Sequence, residues 1–427
     1  MQFRVLVVAS AFPYYSPRIG GMIRVATLVD KMVNDGCHVH VLTYKRWRQW
    51  NDTVAIETPA SSHYVNSYPI FWEDFKKYSH NENLIAYFSN YLRKLRRWNR
   101  IDSYECDIQR FFRSSVKIIK KYSIDNLLIT VPPHSFQLLG AKIKNYFENK
   151  INLIYDHRDA WTLRKQYIKN ISPQILEKWK KIEQACFNLG DHHLFVSEGM
   201  ATDHQRHFFI KSSSVIENGY IDYNTHTEAH PAIWSTIKEF KRSKRVVLGY
   251  FGTGSSDETH PHKDFGPLFR VLDSCPDLAA KFSLILCGDI SIDERIPQNL
   301  KVSRFSPLSN QIARETMRHL DVGLVVHSEP MEAPHVIGGK AYDYMASNIF
   351  IWFIAPPNAN SIKSLHQKFS STFFSDIYKP ENIKSTLEQL LHINFGHNNT
   401  SDEKYPGVEY YSRDFQFSKL YPLLNGG

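Results

Sequence analysis

Short apolar runs alternate with amphipathic helical patterns through the first half of this chain. Buried parallel strands have continuous apolar runs of this kind, because helices cover both faces of their sheet. The runs predict strands at residues 3–9, 38–43, 124–130, 152–156 and 191–197. Apolar positions at helical spacing predict helices at residues 22–34, 136–147 and 173–188. The alternation indicates an α/β domain built on a parallel sheet.

The same alternation starts again after a polar segment at residues 221–244. It predicts strands at residues 245–251, 282–288, 300–304, 321–326 and 349–354. It predicts helices at residues 264–273, 310–319, 359–368 and 380–392, and a last helix at 408–424. Two α/β repeats of similar length predict two Rossmann-like domains with a cleft between them.

Glycines follow the first predicted strand of each half. Open α/β sheets bind ligands at the carboxyl ends of their strands, where bare backbone can approach a phosphate or a sugar. A purely structural role in the turns is the alternative. The candidates are Gly20 and Gly21 in the first half, and Gly252, Thr253, Gly254 and the downstream Lys263 in the second.

The segment 335–346 joins a predicted strand to a helix and has a phosphate-binding pattern. Gly338 and Gly339 leave backbone N–H groups bare at the start of the helix, and Lys340 adds a cation in its first turn. Asp343 follows three residues later, where its carboxylate can accept hydrogen bonds from sugar hydroxyls. An ordinary loop-to-helix junction with a solvated Lys and Asp is the alternative.

Polar residues also follow the strand predicted at residues 152–156, again at a position where α/β sheets hold ligands. We expect Asp159 to be an acid, a base or a hydroxyl-binding group in this half, with His157 beside it. A structural ion pair between Arg158 and Asp159 is the alternative.

The net charge is +9 over 427 residues, which favours an anionic partner. Residues 91–121 contain ten Lys or Arg and three acidic residues, with aromatic residues in and near the stretch. A basic helix of this composition predicts contact with an anionic membrane surface, and a solvated helix face is the alternative. No nucleic-acid-binding signature accompanies the charge, so no nucleic-acid partner is predicted.

The five cysteines are scattered, without a C-x-x-C pair, which predicts a reducing cytosol and no cysteine-built metal site. His192 and His193 are adjacent in a predicted strand and point to opposite faces, and no Asp-x-Asp pair is present, so no metal requirement is predicted. No apolar run approaches the roughly 20 residues of a membrane span, and the N-terminus reads as a strand and not as a signal peptide. We therefore expect a cytoplasmic protein, or a peripheral one on the inner face of the cytoplasmic membrane.

Taken in order and at their spacing, these motifs resemble those of GT-B glycosyltransferases. The family is the large retaining one, like glycogen synthase, that includes bacterial mannosyl-, glucosyl- and N-acetylhexosaminyltransferases of polysaccharide assembly. Each motif is weak alone, and together they cover nearly the whole chain. They are Gly20-Gly21, Pro132-Pro133-His134-Ser135, Arg158-Asp159-Ala160-Trp161, Asn218-Gly219, Gly252-Thr253-Gly254 with Lys263, and Lys340-x-x-Asp343-Tyr344-Met345-Ala346.

The resemblance implies a GT-B fold, with a first domain at residues 1–222, a second at 223–404, and a tail at 405–427 whose helix returns to the first. It implies a nucleotide-sugar donor, a UDP- or GDP-sugar, held by the second domain, and no cofactor. The glycine loop and Lys263 would meet the diphosphate, and Gly338 to Lys340 would add N–H groups and charge. Asp343 would hold the ribose hydroxyls, where the family usually carries Glu.

Two positions depart from the family pattern. The family's other glutamate, eight residues before Asp343 and near the donor sugar, is His335 in this chain. The arginine that many relatives carry after the first glycine of the second-domain loop is Thr253. The first domain would bind the acceptor with its glycine pair, His157 and Asp159. The catalytic residues expected on this basis are Asp159, His157, Lys340 and His335.

The implied reaction moves a sugar to a glycan or lipid-linked saccharide, without a metal ion, in the assembly of a bacterial capsule or O-antigen. Asp159 would be a base if the anomeric configuration inverts and an acceptor ligand if it is retained. Two alternatives use the same fold: a catalytically impaired membrane-associated scaffold, suggested by His335 and Thr253, and a sugar-nucleotide epimerase that needs no acceptor. A Rossmann oxidoreductase is poorly supported, because no G-x-G-x-x-G opens the first helix.

Overall fold

The computed structural model separates into two compact units. The first consists of residues 1–217 and 416–427, and the second of residues 218–415. The sequence prediction places the division at 222/223 and gives the whole tail 405–427 to the first unit, whereas residues 405–415 pack in the second. The structure describes residues 3–12, 14–15, 20–45, 54–55, 59–66, 100–164, 168–223, 227–252, 254–255, 263–292, 295–328, 335, 337–395 and 404–424.

The first unit is built on a seven-stranded parallel sheet in the order β5-β3-β1-β6-β7-β8-β9. Two short strands, β2 and β4, pair with each other in antiparallel fashion. The strands are β1 Arg4–Val8, β2 Tyr14–Tyr15, β3 His38–Tyr44, β4 Val54–Ala55, β5 Ser61–Val65, β6 Asn126–Val131, β7 Asn152–His157, β8 His192–Phe195 and β9 Ser213–Val215.

Helices cover both faces of this sheet, and the apolar strand residues therefore form a separate core on each face. The helices of the first unit are Gly20–Asn34, Ile108–Tyr122, Phe136–Tyr146, Pro173–Leu189 and Glu198–His207. Helix Ile108–Tyr122 contains the second part of the basic stretch, and residues 91–99 lie outside the described residues. Phe111, Ile118 and Ile119 bury its apolar stripe, so its basic side chains occupy the other faces.

The second unit is built on a six-stranded parallel sheet in the order β14-β12-β10-β15-β16-β17. The sheet strands are β10 Val246–Phe251, β12 Phe282–Cys287, β14 Lys301–Phe305, β15 Val322–Val326, β16 Phe350–Ala355 and β17 Thr372–Asp376; β11 Gly254–Ser255 and β13 Ile290–Ser291 pair beside it. The helices are Pro231–Arg242, Gly266–Ser274, Pro276–Ala279, Asn310–Met317, Gly339–Ala346, Asn360–Lys368 and Pro380–Leu391, and the short helix Arg413–Ser418 lies where the chain passes from the second unit to the first. The strand order reverses between β10 and β15, which is where doubly wound sheets bind ligands.

Most predicted strands and helices are confirmed to within a few residues, and the last predicted helix is wrong. Residues 408–424 form three short helical pieces, because Ser412 is extended and pairs with Tyr220. Helix Pro231–Arg242 was missed inside a segment that reads as polar. Only Ile233, Ile237 and Phe240 form its buried stripe.

Candidate functional site

Three loops of the second unit meet at one edge of its sheet. Gly252 follows β10, Gly288 follows β12, and the segment leading to helix Gly339–Ala346 follows β15. All three strands are parallel, so these loops leave the same carboxyl edge, on both sides of the point where the strand order reverses. The fold therefore brings together the two second-half motifs that the sequence singles out.

Backbone hydrogen bonds join the first two loops. Gly252 N–H donates to the carbonyl of Cys287 at 2.8 Å, and Gly254 N–H donates to that of Asp289 at 3.0 Å. Gly252 and Gly288 have φ angles of +130° and +136°, which only glycine adopts without strain. A Cβ on Gly288 would lie 2.0 Å from the carbonyl oxygen of Gly252. Sequence analysis overlooked Gly288, although a glycine directly after an apolar strand was a usable signal.

Lys340 points into the space beside these glycines. Its ammonium Nζ lies 3.5 Å from the centroid of the buried Tyr250 ring, a cation–π contact. A Cβ placed on Gly252 would lie only 3.2 Å from the same Nζ, so the absence of a side chain at Gly252 leaves room for this cation. Burial lowers the pKa of Lys340 well below its usual value, and the neighbouring charge of Lys263 adds to that effect, while Asp343 opposes it.

Lys263 is held near Lys340 by the residue that follows it. Asp264 N–H donates to the hydroxyl of Ser328, just beyond β15, at 3.2 Å. The Asp264 carboxylate accepts from Gly266 N–H at 2.7 Å, at the start of helix Gly266–Ser274. Burial also lowers the pKa of Lys263. Two partly desolvated cations therefore share this edge of the sheet, an arrangement suited to a doubly charged anion.

Asp343 lies on the second turn of helix Gly339–Ala346, within a group of arginines. Burial raises the pKa of its carboxyl to about 6, against the opposing charges of Arg413, Arg314 and Lys340. Nε of Arg413 donates to the carbonyls of Asn218 and Gly219 at 3.0 and 3.3 Å. The predicted Asn-Gly turn therefore fixes the position of the Arg413 guanidinium. The two arginines were not predicted, because they come from separate elements that only the fold brings close.

The other predicted residues of this half fall around the same edge. His335 is buried, at 7% exposure, in the turn before the helix. Gly338 is the N-cap, and Gly339 has open space around its Cα, so the first N–H groups of the helix carry no covering side chain from these positions. Gly254 begins β11, and Thr253 lies outside the described residues.

In the first unit, Gly20 and Gly21 are the first residues of helix Gly20–Asn34, which follows β1. One turn further on, Arg24 forms an ion pair with Asp156 of β7, both side chains being 1% exposed. Sequence analysis missed this pair, because Arg24 looks like any polar position of a helix and Asp156 like part of a strand.

His157 is the last residue of β7 and is 1% exposed. Its Nε2 lies 3.1 Å from Nδ1 of His193, whose Nε2 lies 3.0 Å from the carbonyl oxygen of Phe187. Burial lowers the pKa of His157 well below its usual value and that of His193 to about 4, so both rings are neutral near pH 7. The His157 ring thus packs against the end of β8, and its catalytic role stays a prediction.

Asp159, unlike His157, has a partly exposed side chain, with 38% of its surface accessible. Its Oδ1 lies 3.3 Å from Nη1 of Arg164, so its ion-pair partner is Arg164 and not the adjacent Arg158. Arg158 instead donates from Nη2 to the carbonyl of Pro132 at 2.7 Å, which ties the loop after β7 to the loop after β6. The two motifs 132–135 and 158–161 are thus neighbours, with Asp159 at the surface of the first unit.

The described residues contain no group of three or more His, Cys, Asp or Glu side chains placed to hold a metal ion. No helix within the same residues has the length and apolar character that a bilayer crossing needs.

Comparison with known proteins reveals relatives in structure alone. No protein-family model and no curated protein sequence matches the chain. Sucrose-phosphate synthase from Thermosynechococcus elongatus matches with a TM-score of 0.65 at 12% identity over 99% of both chains. HepE from Anabaena, in complex with UDP and glucose, matches with a TM-score of 0.61 at 12% identity over 100% of both. The lipopolysaccharide outer core galactosyltransferase WaaB, in its apo form, matches with a TM-score of 0.55 at 12% identity over 99% of both. The chain shares the fold of these proteins, and the predicted GT-B fold class is confirmed.

Proposed function

We propose that this protein is a glycosyltransferase that takes its sugar from a UDP- or GDP-sugar bound to the second unit. The observation that carries the proposal is the pairing of Lys340 and Lys263 beside the bare backbone of Gly252. Two cations and the first N–H groups of helix Gly339–Ala346, at the switch point of a parallel sheet, suit a diphosphate. Asp343, a helical turn from Lys340, is the acceptor for the ribose hydroxyls.

The structural relatives support the same type of donor. HepE was solved with UDP and glucose, and a trehalose-6-phosphate protein from E. coli was solved with UDP-2-fluoro glucose. WaaB is a galactosyltransferase of the lipopolysaccharide outer core. On this basis we propose a glycan or lipid-linked saccharide as the acceptor, in bacterial cell-surface polysaccharide assembly. We also propose that the protein acts at the inner face of the cytoplasmic membrane.

The chemistry asked of the site is stabilisation of a leaving diphosphate. As the bond between the anomeric carbon and the diphosphate of the donor breaks, negative charge grows on the β-phosphate and positive charge on the anomeric carbon. Lys340 and Lys263 neutralise the first of these charges, together with the N–H groups at the start of helix Gly339–Ala346. These groups supply the charge that a divalent ion supplies elsewhere, so we propose a reaction that needs no metal ion. The resemblance to the retaining family supports the further proposal that the anomeric configuration is retained.

Acceptor binding is assigned to the first unit, where Asp159 is the exposed carboxylate at the end of β7. Its Oδ atoms lie where they can accept a hydrogen bond from a sugar hydroxyl. His335 is proposed to lie near the donor sugar, in the place of the glutamate found in the family that the sequence resembles.

The test is a screen in two stages. Thermal-shift measurements with UDP-, GDP-, ADP- and CMP-sugars identify the donor, and release of the nucleoside diphosphate is then followed over an acceptor panel. We expect acceptor-dependent release that persists in the presence of EDTA, and an α-linked product from an α-linked donor by NMR. Donor binding without release with any acceptor would support a scaffold, and isomerisation of the donor alone would support an epimerase.

Donor affinity should weaken as the pH falls through about 6, the raised pKa of Asp343. The ribose hydroxyls donate hydrogen bonds to a carboxylate, and below this pH the group is protonated and loses acceptor capacity. Isothermal titration of the donor nucleotide-sugar from pH 5 to 8 measures the effect, because its doubly esterified diphosphate keeps its charge throughout this range. Asp343→Asn is the control: its affinity should be low and should not vary around pH 6. A native profile as flat as that of the variant would remove Asp343 from the ribose site.

A further inference from the structure

The first unit contains an open cavity of about 540 Å³ beside the edge strand of its sheet, which the donor site does not use. Its walls are β5, the end of β3 and one face of helix Ile108–Tyr122. Cavities of this size accommodate small ligands or the head group of a larger one. The lining residues are Leu42, Lys45, Ser62, His63, Tyr64, Asn66, Ser114, Lys117, Ile118, Lys121 and Tyr122.

The charge of this cavity has one sign. Lys45, Lys117 and Lys121 line it, and the described lining includes no aspartate or glutamate. Lys117 and Lys121 are four residues apart on one helix, a spacing at which like charges repel each other. In the free protein this repulsion is unfavourable, whereas an anion bound near both ammonium groups is attracted by each of them and offsets the repulsion.

Uncharged groups of the cavity complement these cations. Ser114 contributes a hydroxyl from the helix. On the facing wall, His63 of β5 has its Nε2 3.1 Å from Nδ1 of the buried His40. The His40 ring stacks on Tyr122 with centroids 4.0 Å apart, so the base of the cavity is a packed aromatic group. Tyr64, 49% exposed, lies at its mouth.

We propose that this cavity binds a phosphate-bearing ligand through the ammonium groups of Lys45, Lys117 and Lys121. Lysine ammoniums are compact donors that suit phosphate oxygens, and the Ser114 hydroxyl and the His63 ring supply further hydrogen-bonding groups. The proposal is independent of the glycosyltransferase assignment, because every residue involved lies in the first unit and none belongs to the donor site. The phosphate has two sources to distinguish, a soluble phosphomonoester and a phospholipid head group.

The experiment uses the full chain and a reporter inside the cavity. Glycerol 3-phosphate is titrated while the ring NMR signal of His63 is followed, the signal being assigned by its loss in His63→Gln. Binding to vesicles of equimolar phosphatidylcholine and phosphatidic acid is measured by co-sedimentation in parallel. Both assays compare the native chain with Lys117→Glu and with Arg113→Glu. The second variant makes the same charge change at an exposed position on the same helix, outside the cavity.

A saturable shift of the His63 signal should weaken about tenfold or more in Lys117→Glu, as expected for loss of one charge-assisted contact, and should be unaffected by Arg113→Glu. That result supports a soluble phosphate ligand. Vesicle binding that is lost in Lys117→Glu alone, without a response to glycerol 3-phosphate, supports a lipid head group. Equal effects of the two variants, or no response to either probe, overturn the proposal.

Discussion

Replacing Arg24 with alanine should destabilise the first unit by about 3–5 kcal/mol, the cost of leaving one charge of a buried ion pair without its partner. Nη2 of Arg24 donates to Oδ1 of Asp156 at 2.9 Å, and Nη1 donates to the carbonyl of Glu217 at 3.0 Å. The guanidinium also lies 5.4 Å from the ring centroid of Phe417. One side chain thereby joins the first helix, β7 and the C-terminal segment.

Hydrogen exchange of the amides of β1 and β7 measures this effect within the intact chain, with β10 and β12 of the second unit as an internal reference. Arg4→Ala is the matched control, because Arg4 pairs with Asp125 at 3.0 Å in an exposed setting and should contribute about 1 kcal/mol or less. The double variant Arg24→Met with Asp156→Leu should be less damaging than Arg24→Ala, since it leaves no buried charge unpaired. Equal exchange in Arg24→Ala and Arg4→Ala would contradict the proposed importance of the buried pair.

The central strands of both sheets could be predicted from the sequence, and the edge strands β5, β9 and β17 could not. Strands such as β10 and β16 are buried on both faces, so they read as unbroken apolar runs. Strand β17, Thr372–Asp376, is at the edge of its sheet and ends in Ser375 and Asp376. These polar residues interrupt the apolar run by which a strand is predicted. Both of these polar residues are buried, with Ser375 bonded to Trp352 Nε1 at 2.9 Å, a contact that only the folded sheet creates.

The candidate site divides in the same way. Lys340 and Asp343 could be predicted because they are neighbours in sequence on one helix, next to glycines. Tyr250 could not, since it comes from another strand and joins the site only through the register of β10 with β12 and β15, whereas Gly288 was overlooked although it directly follows an apolar strand. The surroundings of His157 could not be predicted either. A polar residue at a strand end indicates a ligand site, but the pairing of β7 with β8 places His193 against it and encloses its ring.

Replacing Lys340 with methionine should lower turnover by about 10²–10³-fold, or ~2.7–4 kcal/mol, as for the loss of one group that stabilises transition-state charge. Lys263→Met should have an effect of the same order, because the two cations share the diphosphate. Steady-state kinetics with the donor identified by the screen give the change in kcat and in kcat/KM. Lys301→Met is the matched control, since Lys301 is an exposed lysine of the same sheet, and its rates should equal those of the native chain.

Nucleotide binding separates a donor role of Lys340 from a general disturbance of the site. Lys340→Met should weaken binding of the nucleoside diphosphate and leave that of the free nucleoside unchanged, because only the former presents phosphate oxygens to the ammonium. Isothermal titration of both ligands makes the comparison. Near-native turnover in both Lys340→Met and Lys263→Met would contradict the assignment of the donor site to this edge of the sheet.

The same substitution should leave the second unit at least as stable as before, which excludes unfolding as the cause of lost activity. Burial and Lys263 hold the pKa of Lys340 below its ordinary value of 10.5, so the unfolded chain binds this proton more tightly than the folded one. The lysine therefore costs stability, most at low pH, and the cost disappears as the pH rises from the lowered pKa towards 10.5. Methionine has a similar length and no charge to desolvate, so thermal unfolding near neutral pH should shift upward or not at all. Lower activity with equal or greater stability is the pattern expected of a buried cation that destabilises the folded chain but binds an anionic ligand.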